Sequence, residues 1–271
     1  MTTLGVFDSG VGGLSVLRDL RQQMPGVHCV YLADNAFAPY GERDVATIRE
    51  RASRITDHLR TAHHIDALVI ACNTATAHAV DPLRAAHPDL PIIGVEPALK
   101  PAAVLSQTGN VGVLATRATL QSERFARLSA QVTEQSASPV RFTCQPCDGL
   151  ADAIERDDTA TIHALAQRYL DALWSASPPH ARIDTIVLGC THYPFALDAL
   201  QAHCKSGVRW LDTGLPVAKR AQAVLQQAGH DLSPGRTAAP PSFVSTSDPA
   251  TLDRAVERWL GVEARALRGC A

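Results

Sequence analysis

Lysine is scarce in this 271-residue chain: Lys100, Lys205 and Lys219 are the only three. None of them closes a strand-like apolar run. Pyridoxal phosphate chemistry needs a lysine to carry the Schiff base, so that cofactor finds no obvious anchor here. An excess of charge of one sign is also missing. The 25 Lys and Arg nearly balance the 27 Asp and Glu, for a net charge of -2. Nothing in this balance favours nucleic acid or a membrane surface as a partner. No apolar run reaches the length of a membrane span, and the N-terminal stretch meets an acidic residue at Asp8, too early for a signal peptide. A soluble, cytoplasmic protein is expected.

Paired cysteines are lacking too. The seven cysteines are Cys29, Cys72, Cys144, Cys147, Cys190, Cys204 and Cys270. An odd, scattered set in a large chain without a secretory signal argues for free thiols over a disulfide framework. Cys144-Gln-Pro-Cys147 has the C-x-x-C spacing of redox pairs and half zinc sites, but no second C-x-x-C or H-x3-5-H follows. No metal site is expected. Gly10-Val-Gly12-Gly13 lacks the third glycine of a dinucleotide loop, and no P-loop lysine follows it.

What the chain does have is a stretch that occurs twice: Asp66-Ala-Leu-Val-Ile-Ala-Cys72-Asn-Thr and Asp184-Thr-Ile-Val-Leu-Gly-Cys190-Thr-His. Each copy is an acidic residue, four strand-forming residues, a small residue and a cysteine followed by polar side chains. A cysteine closing an apolar strand is ordinarily a small buried residue. Two of them in matching contexts, each with polar successors, instead suggest equivalent half-sites. Two thiols approaching one bound molecule from opposite sides is an arrangement that can carry a proton through a stereocentre.

Apolar runs alternate with helical patterns along the whole chain. Strands are expected at residues 4–7, 29–32, 67–71, 92–95, 111–115, 140–143, 185–189 and 208–211. Between them, Val45, Ile48, Ala52, Ile55 and Leu59 recur at three-and-four spacing, as do Ile162, Leu165, Ala166, Tyr169, Leu170 and Leu173. This alternation implies an α/β protein with doubly wound parallel sheets. Gly112-Val-Leu-Ala-Thr116 resembles a second beginning of the Gly5-Val-Phe-Asp-Ser9 kind. Two domains are therefore expected: residues 1–97 with 209–271, and residues 98–208. The stretch 233–241 reads as a loop from its Pro, Gly and Ser content, and a last helix is expected over 248–260.

Ligands of open α/β sheets bind at the carboxyl ends of strands. Asp8 and Ser9, Cys72 to Thr74, Thr116, and Cys190 to His192 all fall at such ends, so one cleft between the two domains is the expected site. A helix starting near Ala75 would turn its N–H groups and positive end toward Cys72, lowering the thiol pKa and favouring a carboxylate ligand. Asp8 also reads as a turn residue capping the helix from Leu14.

These residues resemble the cofactor-independent aspartate/glutamate racemase superfamily from about residue 4 to about residue 260. The matching stretches are Gly5-Val-Phe-Asp-Ser-Gly-Val-Gly-Gly-Leu-Ser15, Tyr31-Leu-Ala-Asp34, Ala38-Pro-Tyr-Gly-Glu42, Ala71-Cys-Asn-Thr-Ala75, Ile93-Gly-Val-Glu-Pro97 and Leu188-Gly-Cys-Thr-His-Tyr-Pro194. His192 after Cys190-Thr191 is similar to the glutamate branch, and residues 33–37 depart from the common pattern. The resemblance implies two pseudo-symmetric domains and Cys72 and Cys190 as the acid/base pair, aided by Asp8 and His192. It implies glutamate as substrate, bound by Asp8, Ser9, Tyr40, Gly41, Asn73, Thr74, Thr191 and His192 with Thr116 and Thr119 added, and Glu155 as a further auxiliary group. It implies no cofactor, a role in supplying D-glutamate to peptidoglycan, and a homodimer. A thiol suits both roles of such a pair, since its ordinary pKa near 8.5 lets it serve as acid or base after a modest shift. Aspartate or hydantoin racemisation is the near alternative. A cysteine hydrolase using Cys190 and His192, or an amino-acid-binding protein, are the distant ones.

Overall fold

The computed structural model describes residues 2–178, 182–232 and 240–269. It divides into two compact units, Met1–Val95 with Gly214–Ala271, and Glu96–Thr213. The strands of the first unit are β1 (Thr3–Asp8), β2 (His28–Ala33), β3 (Ala67–Ile70), β4 (Ile92–Gly94), and, after the second unit, β9 (Ser242–Ser245) and β10 (Leu267–Arg268). Its helices are α1 (Leu14–Gln23), α2 (Val45–His63), α3 (Asn73–Ala86), α10 (Gly214–Gln227) and α11 (Pro249–Leu260). The second unit holds β5 (Asn110–Ala115), β6 (Arg141–Pro146), β7 (Thr185–Gly189) and β8 (Arg209–Leu211). Its helices are α4 (Leu99–Leu105), α5 (Arg117–Leu120), α6 (Glu123–Gln135), α7 (Leu150–Glu155), α8 (Thr159–Ala176) and α9 (Leu197–Ala202).

Among the described residues the first sheet has the order β10-β9-β2-β1-β3-β4 and the second β6-β5-β7-β8. Every paired strand is parallel. Parallel strands need crossover helices, which cover both faces, and this is why the strands read as unbroken apolar runs. The second unit shows the two faces directly. Leu114, Ile186 and Leu188 pack with α7, α8 and α9, while Val111, Val113, Ala115 and Val187 pack with α4 and α6. The alternation along each strand is the two-residue period of the pleat. In the first unit Phe7, Val30, Leu32, Leu68 and Ile70 pack against the apolar stripes of α2 and α3. The other side is served by α1, which packs on α10 and α11.

The order 2-1-3-4 recurs as 6-5-7-8, so β1 corresponds to β5 and β3 to β7. Gly5 of β1 and Gly112 of β5 are equivalent in close approach as well as position. A Cβ at Gly5 would sit 2.8 Å from Ile65, and one at Gly112 2.8 Å from Leu173. The repeated aspartates do equivalent structural work. Asp66 accepts the N–H of Thr3 at 2.7 Å, where β1 begins. Asp184 accepts the Gln107 and Thr108 N–H groups at 2.7 and 3.0 Å and the Ser106 hydroxyl at 2.6 Å, just ahead of β5. The partial burial of Asp184 pushes its pKa up, but the hydroxyl and N–H groups of Ser106, Gln107, Thr108 and Thr185 outweigh this and lower it. Its contribution to stability is therefore full above the ordinary value of 3.8 and is lost as pH falls through the lower folded value. Asp184→Asn is expected to cost about 1 kcal/mol in urea unfolding at neutral pH, with the difference from the parent shrinking in acid.

The chain passes between units at 95/96 and 213/214, not at 97/98 and 208/209. Glu96 is already tied into the second unit by an ion pair with Arg124 at 2.7 Å. Residues 209–211 stay there because they pair with Thr185–Val187 of β7. The strand expected at 140–143 runs instead over Arg141–Pro146, because β5 offers partners as far as Ala115. β9 and β10 carry no sequence pattern of their own; they form by adding to the edge of β2. The loop expected at 233–241 lies for residues 233–239 outside the described residues, whereas the last helix runs over Pro249–Leu260. No helix is long and apolar enough to cross a membrane among the described residues.

Candidate active site

In both sheets the strand order reverses at one place, between β1 and β3 and between β5 and β7, and the crevice beyond the carboxyl ends there is the binding position of open α/β sheets. Cys72 lies just past β3 and Cys190 just past β7. Asp8 ends β1 and Thr116 follows β5.

In the first unit Cys72 caps α3, its Sγ accepting the N–H of Ala75 at 3.4 Å. The thiol is 6 % exposed and faces the hydroxyl of Ser9, Sγ to Oγ 3.8 Å. Ser9 in turn donates to Asp8 Oδ1, from its N–H at 2.7 Å and its hydroxyl at 3.3 Å. The second oxygen of Asp8 accepts the N–H of Gly13 in a short hydrogen bond. Tyr31 secures the same loop by donating to the Gly10 carbonyl at 2.7 Å. Asp8 therefore does cap the turn into α1, and it also ends a line running thiol, hydroxyl, carboxylate. Beside Cys72, Asn73 and Thr74 are buried. The Asn73 amide oxygen and nitrogen are both buried without a hydrogen-bond partner. Such orphaned groups are costly unless a ligand satisfies them.

In the second unit Cys190 Sγ lies 3.6 Å from His192 Nδ1, and His192 Nε2 lies 2.6 Å from Glu155 Oε1. Alternation along an extended segment gave no reason for Cys190 and His192 to meet. They do because the chain leaves the sheet at Gly189 and turns at once into the short 3-10 helix Tyr193–Ala196. Burial pushes the imidazole pKa down, but its hydrogen bonds to Cys190 and Glu155 prevail and raise it well above 6.5. The charged imidazolium can donate at both ring nitrogens, to the Cys190 sulfur and to the Glu155 carboxylate. Glu155 is the last residue of α7. Thr116 donates to the Thr119 hydroxyl at 2.9 Å and accepts the Thr119 N–H at 3.3 Å, forming the N-cap of α5. Its neighbour Ala115 is in register with Gly189, one residue before Cys190. Thr191 is buried next to the thiol.

Each thiol is thus linked to a carboxylate through one intervening group, Ser9 for Cys72 and His192 for Cys190. Tyr40 is buried in the same apolar cluster as Cys72, and Gly41 follows it half-buried. Cys144 and Cys147 are parted by the end of β6, the first exposed and the second buried. Burial, with the nearby Cys190, pushes the Cys147 thiol up. Among the described residues no cluster of His, Cys, Asp or Glu could hold a metal ion. A surface cavity of about 530 Å³ in the second unit, walled by Arg117, Asp148, Asp152, Arg156 and Arg168, is lined by none of the candidate residues. Sequence reading missed Cys147 and Tyr193 as neighbours of Cys190: Tyr193 donates to the Cys147 carbonyl at 3.3 Å, a contact without local signal.

The sequence and the fold of the two α/β units both match a known class. Residues 4–228 match the Asp/Glu/hydantoin racemase family. The chain is 43 % identical to a glutamate racemase of Ectopseudomonas mendocina, over 97 % of this chain and 96 % of that protein. It is 47 % identical to one of Pseudomonas syringae pv. tomato, over 83 % and 79 %. Its fold is similar to the crystal structure of Escherichia coli glutamate racemase with L-glutamate and the activator UDP-MurNAc-Ala (TM-score 0.81, 30 % identity, covering 100 % and 98 %). It is also similar to that of isoform RacE1 from Bacillus anthracis (TM-score 0.84, 27 % identity, covering 99 % and 97 %). The chain belongs to the Asp/Glu/hydantoin racemase family. It is an isomerase of the amino-acid racemase class.

Proposed function

We propose that this enzyme interconverts L-glutamate and D-glutamate without a cofactor, Cys72 and Cys190 exchanging the α-proton on opposite faces of Cα. The observation that carries the reading is the duplication of a buried, carboxylate-linked thiol. A one-base or hydrolytic mechanism has no use for the second copy. One thiol starts as thiolate and abstracts the proton while the other, as thiol, donates to the far face; the roles exchange in the reverse direction. Asp8 with Ser9, and Glu155 with His192, adjust the two thiols. Ser9, Tyr40, Gly41, Asn73, Thr74, Thr116, Thr119, Thr191 and His192 hold the substrate's carboxylates and ammonium group. The unsatisfied Asn73 amide supports a polar ligand at this position, and relatives named glutamate racemase support glutamate as that ligand.

The test is to incubate the purified protein with L-glutamate in D₂O, with no cofactor added, and follow D-glutamate by chiral chromatography. D-Glutamate carrying deuterium at Cα is expected, and aspartate, glutamine and alanine should turn over at least about a hundredfold more slowly, because a missing carboxylate leaves buried donors unpaired. Turnover of aspartate in preference to glutamate, or of alanine at a comparable rate, would overturn the assignment. The Cys190–His192–Glu155 line gives a second reading, a nucleophilic cysteine hydrolase. That enzyme would release a cleaved product and leave the amino-acid Cα unlabelled. In the cell the D-glutamate would enter peptidoglycan, so deletion should make growth depend on supplied D-glutamate. A homodimer is the matching expectation for assembly, read by light scattering.

A further inference from the structure

Arg51 is a charged residue on an apolar stripe. It lies three residues after Ile48 and four before Ile55 on α2, and its side chain is only 3 % exposed. Its guanidinium grips Asp34 with two hydrogen bonds, Nε to Oδ2 at 3.0 Å and a terminal nitrogen to Oδ1 at 2.9 Å. It also stacks over the Phe37 ring at 4.1 Å. The Asp34 carboxylate then accepts two more bonds, from the Tyr40 hydroxyl at 2.5 Å and the Thr246 hydroxyl at 2.8 Å. Four segments meet at this one fully buried carboxylate: the end of β2, the 35–42 loop, α2 and the residue after β9. A buried pair of this kind contributes little net stability over well-packed apolar residues, so its presence calls for another use. Thr246 also lies beyond residues 4–228, the span matched by the family.

We propose that Asp34 and Arg51, completed by Thr246, form a clamp that positions the Tyr40–Gly41 segment beside Cys72. They are positioning residues: they act on the substrate through Tyr40 and Gly41. Tyr40 is 1 % exposed, shares the Cys72 cluster, and sits in a 3-10 turn packed against α3, the helix that Cys72 caps. The 35–42 segment holds two short 3-10 turns, Asn35–Phe37 and Tyr40–Glu42. Arg43 braces the first through the Phe37 and Ala38 carbonyls, and the Asp34 bonds tie the second to α2 and to Thr246. The inference rests on the proposed function only in taking residues 40 and 41 as substrate contacts.

Three variants test it. Arg51→Met keeps length and removes charge and fork; Arg51→Lys keeps charge without the planar fork; Tyr40→Phe removes one hydroxyl and leaves the ion pair intact. Arg51→Met should lower kcat/KM for glutamate by about tenfold or more, mainly through KM, because small misplacements of a binding wall are costly. Arg51→Lys should recover part of the loss, and Tyr40→Phe should reproduce part of it. A second readout needs no turnover: alkylation of Cys72 by iodoacetamide, followed by peptide mass spectrometry. A displaced 40–41 segment uncovers the thiol, so Cys72 should react several-fold faster in Arg51→Met while Cys190 keeps its parental rate. Folded Arg51→Met and Tyr40→Phe proteins with kinetics and Cys72 alkylation within twofold of the parent would overturn the clamp. If Arg51→Met fails to fold, Tyr40→Phe decides by the same two readouts. A parent inactive on glutamate, with Cys72 alkylation still faster in the variants, would refute the glutamate reading and leave the clamp standing.

Discussion

Serine at either Cys72 or Cys190 is expected to abolish racemisation of glutamate in both directions, by about a thousandfold or more. The hydroxyl keeps the shape but is far harder to ionise than the thiol, so the substituted face can neither accept nor deliver the α-proton at a useful rate. The two losses should not multiply. Inversion needs both faces, so the double variant should be little worse than either single one. The faces separate with an alanine bearing a leaving group at Cβ, where abstraction alone leads to elimination. Cys72→Ser should then retain elimination on one enantiomer and Cys190→Ser on the other, read as pyruvate formation. Cys144→Ser and Cys204→Ser should stay within about twofold of the parent, since neither residue closes a strand at a switch point. Racemisation by a folded Cys190→Ser protein at the parental rate would end the two-thiol reading.

Replacing His192 by Asn should lower kcat/KM for both enantiomers by the same factor, on the order of a hundredfold. The factor must be shared because the two enantiomers are equal in free energy, which ties the two directions together at equilibrium. Elimination should break this tie and show the defect on the enantiomer served by Cys190 alone. Glu155→Gln should show the same pattern more weakly, as it removes the charge but keeps a hydrogen-bond acceptor for Nε2. The pH dependence has a definite sign. Burial alone would pull the His192 pKa down, and the Cys190 and Glu155 contacts instead raise it well above 6.5. A folded pKa above the unfolded one means the stabilisation is full below about 6.5 and is lost as pH rises through the folded value. Urea midpoints of the parent should therefore fall on the alkaline side more steeply than those of Glu155→Gln. Identical slopes for the two proteins would show that the imidazolium–carboxylate pair carries no such linkage.

Much of the architecture was legible in the chain because parallel strands, buried on both faces, must be written as apolar runs. The strand expected at 185–189 forms as Thr185–Gly189 for that reason, and the stripes of α2 and α8 follow from the helical period. The repeated cysteines could be matched because strand ends are local features, and each lies just past the strand bordering the switch point of its own sheet. Other features depended on contacts between residues far apart in sequence. Arg209–Leu211 belongs to the second sheet through β7, and the edge strands β9 and β10 form through partners supplied by β2 and by each other. A two-residue strand such as Leu267–Arg268 has no periodicity to read.

The chain by itself determined the α/β class, the repeated strand-and-cysteine stretch and the pair of thiols, since each is dictated by hydrophobic patterning and short-range spacing; the order of the strands came from their pairing. Tertiary structure alone decided how those thiols are served. His192 reaches Cys190 because the chain bends out of the sheet after Gly189, and Glu155 reaches His192 from a helix 37 positions earlier. Arg51 shows the boundary between the two kinds of information. It sits on the apolar stripe of α2, and its partner Asp34, with Tyr40 and Thr246, comes into view only when α2, the 35–42 loop and the end of β9 are brought together. Side-chain direction beyond a strand end, and packing between distant segments, follow from the whole fold, which no local pattern encodes.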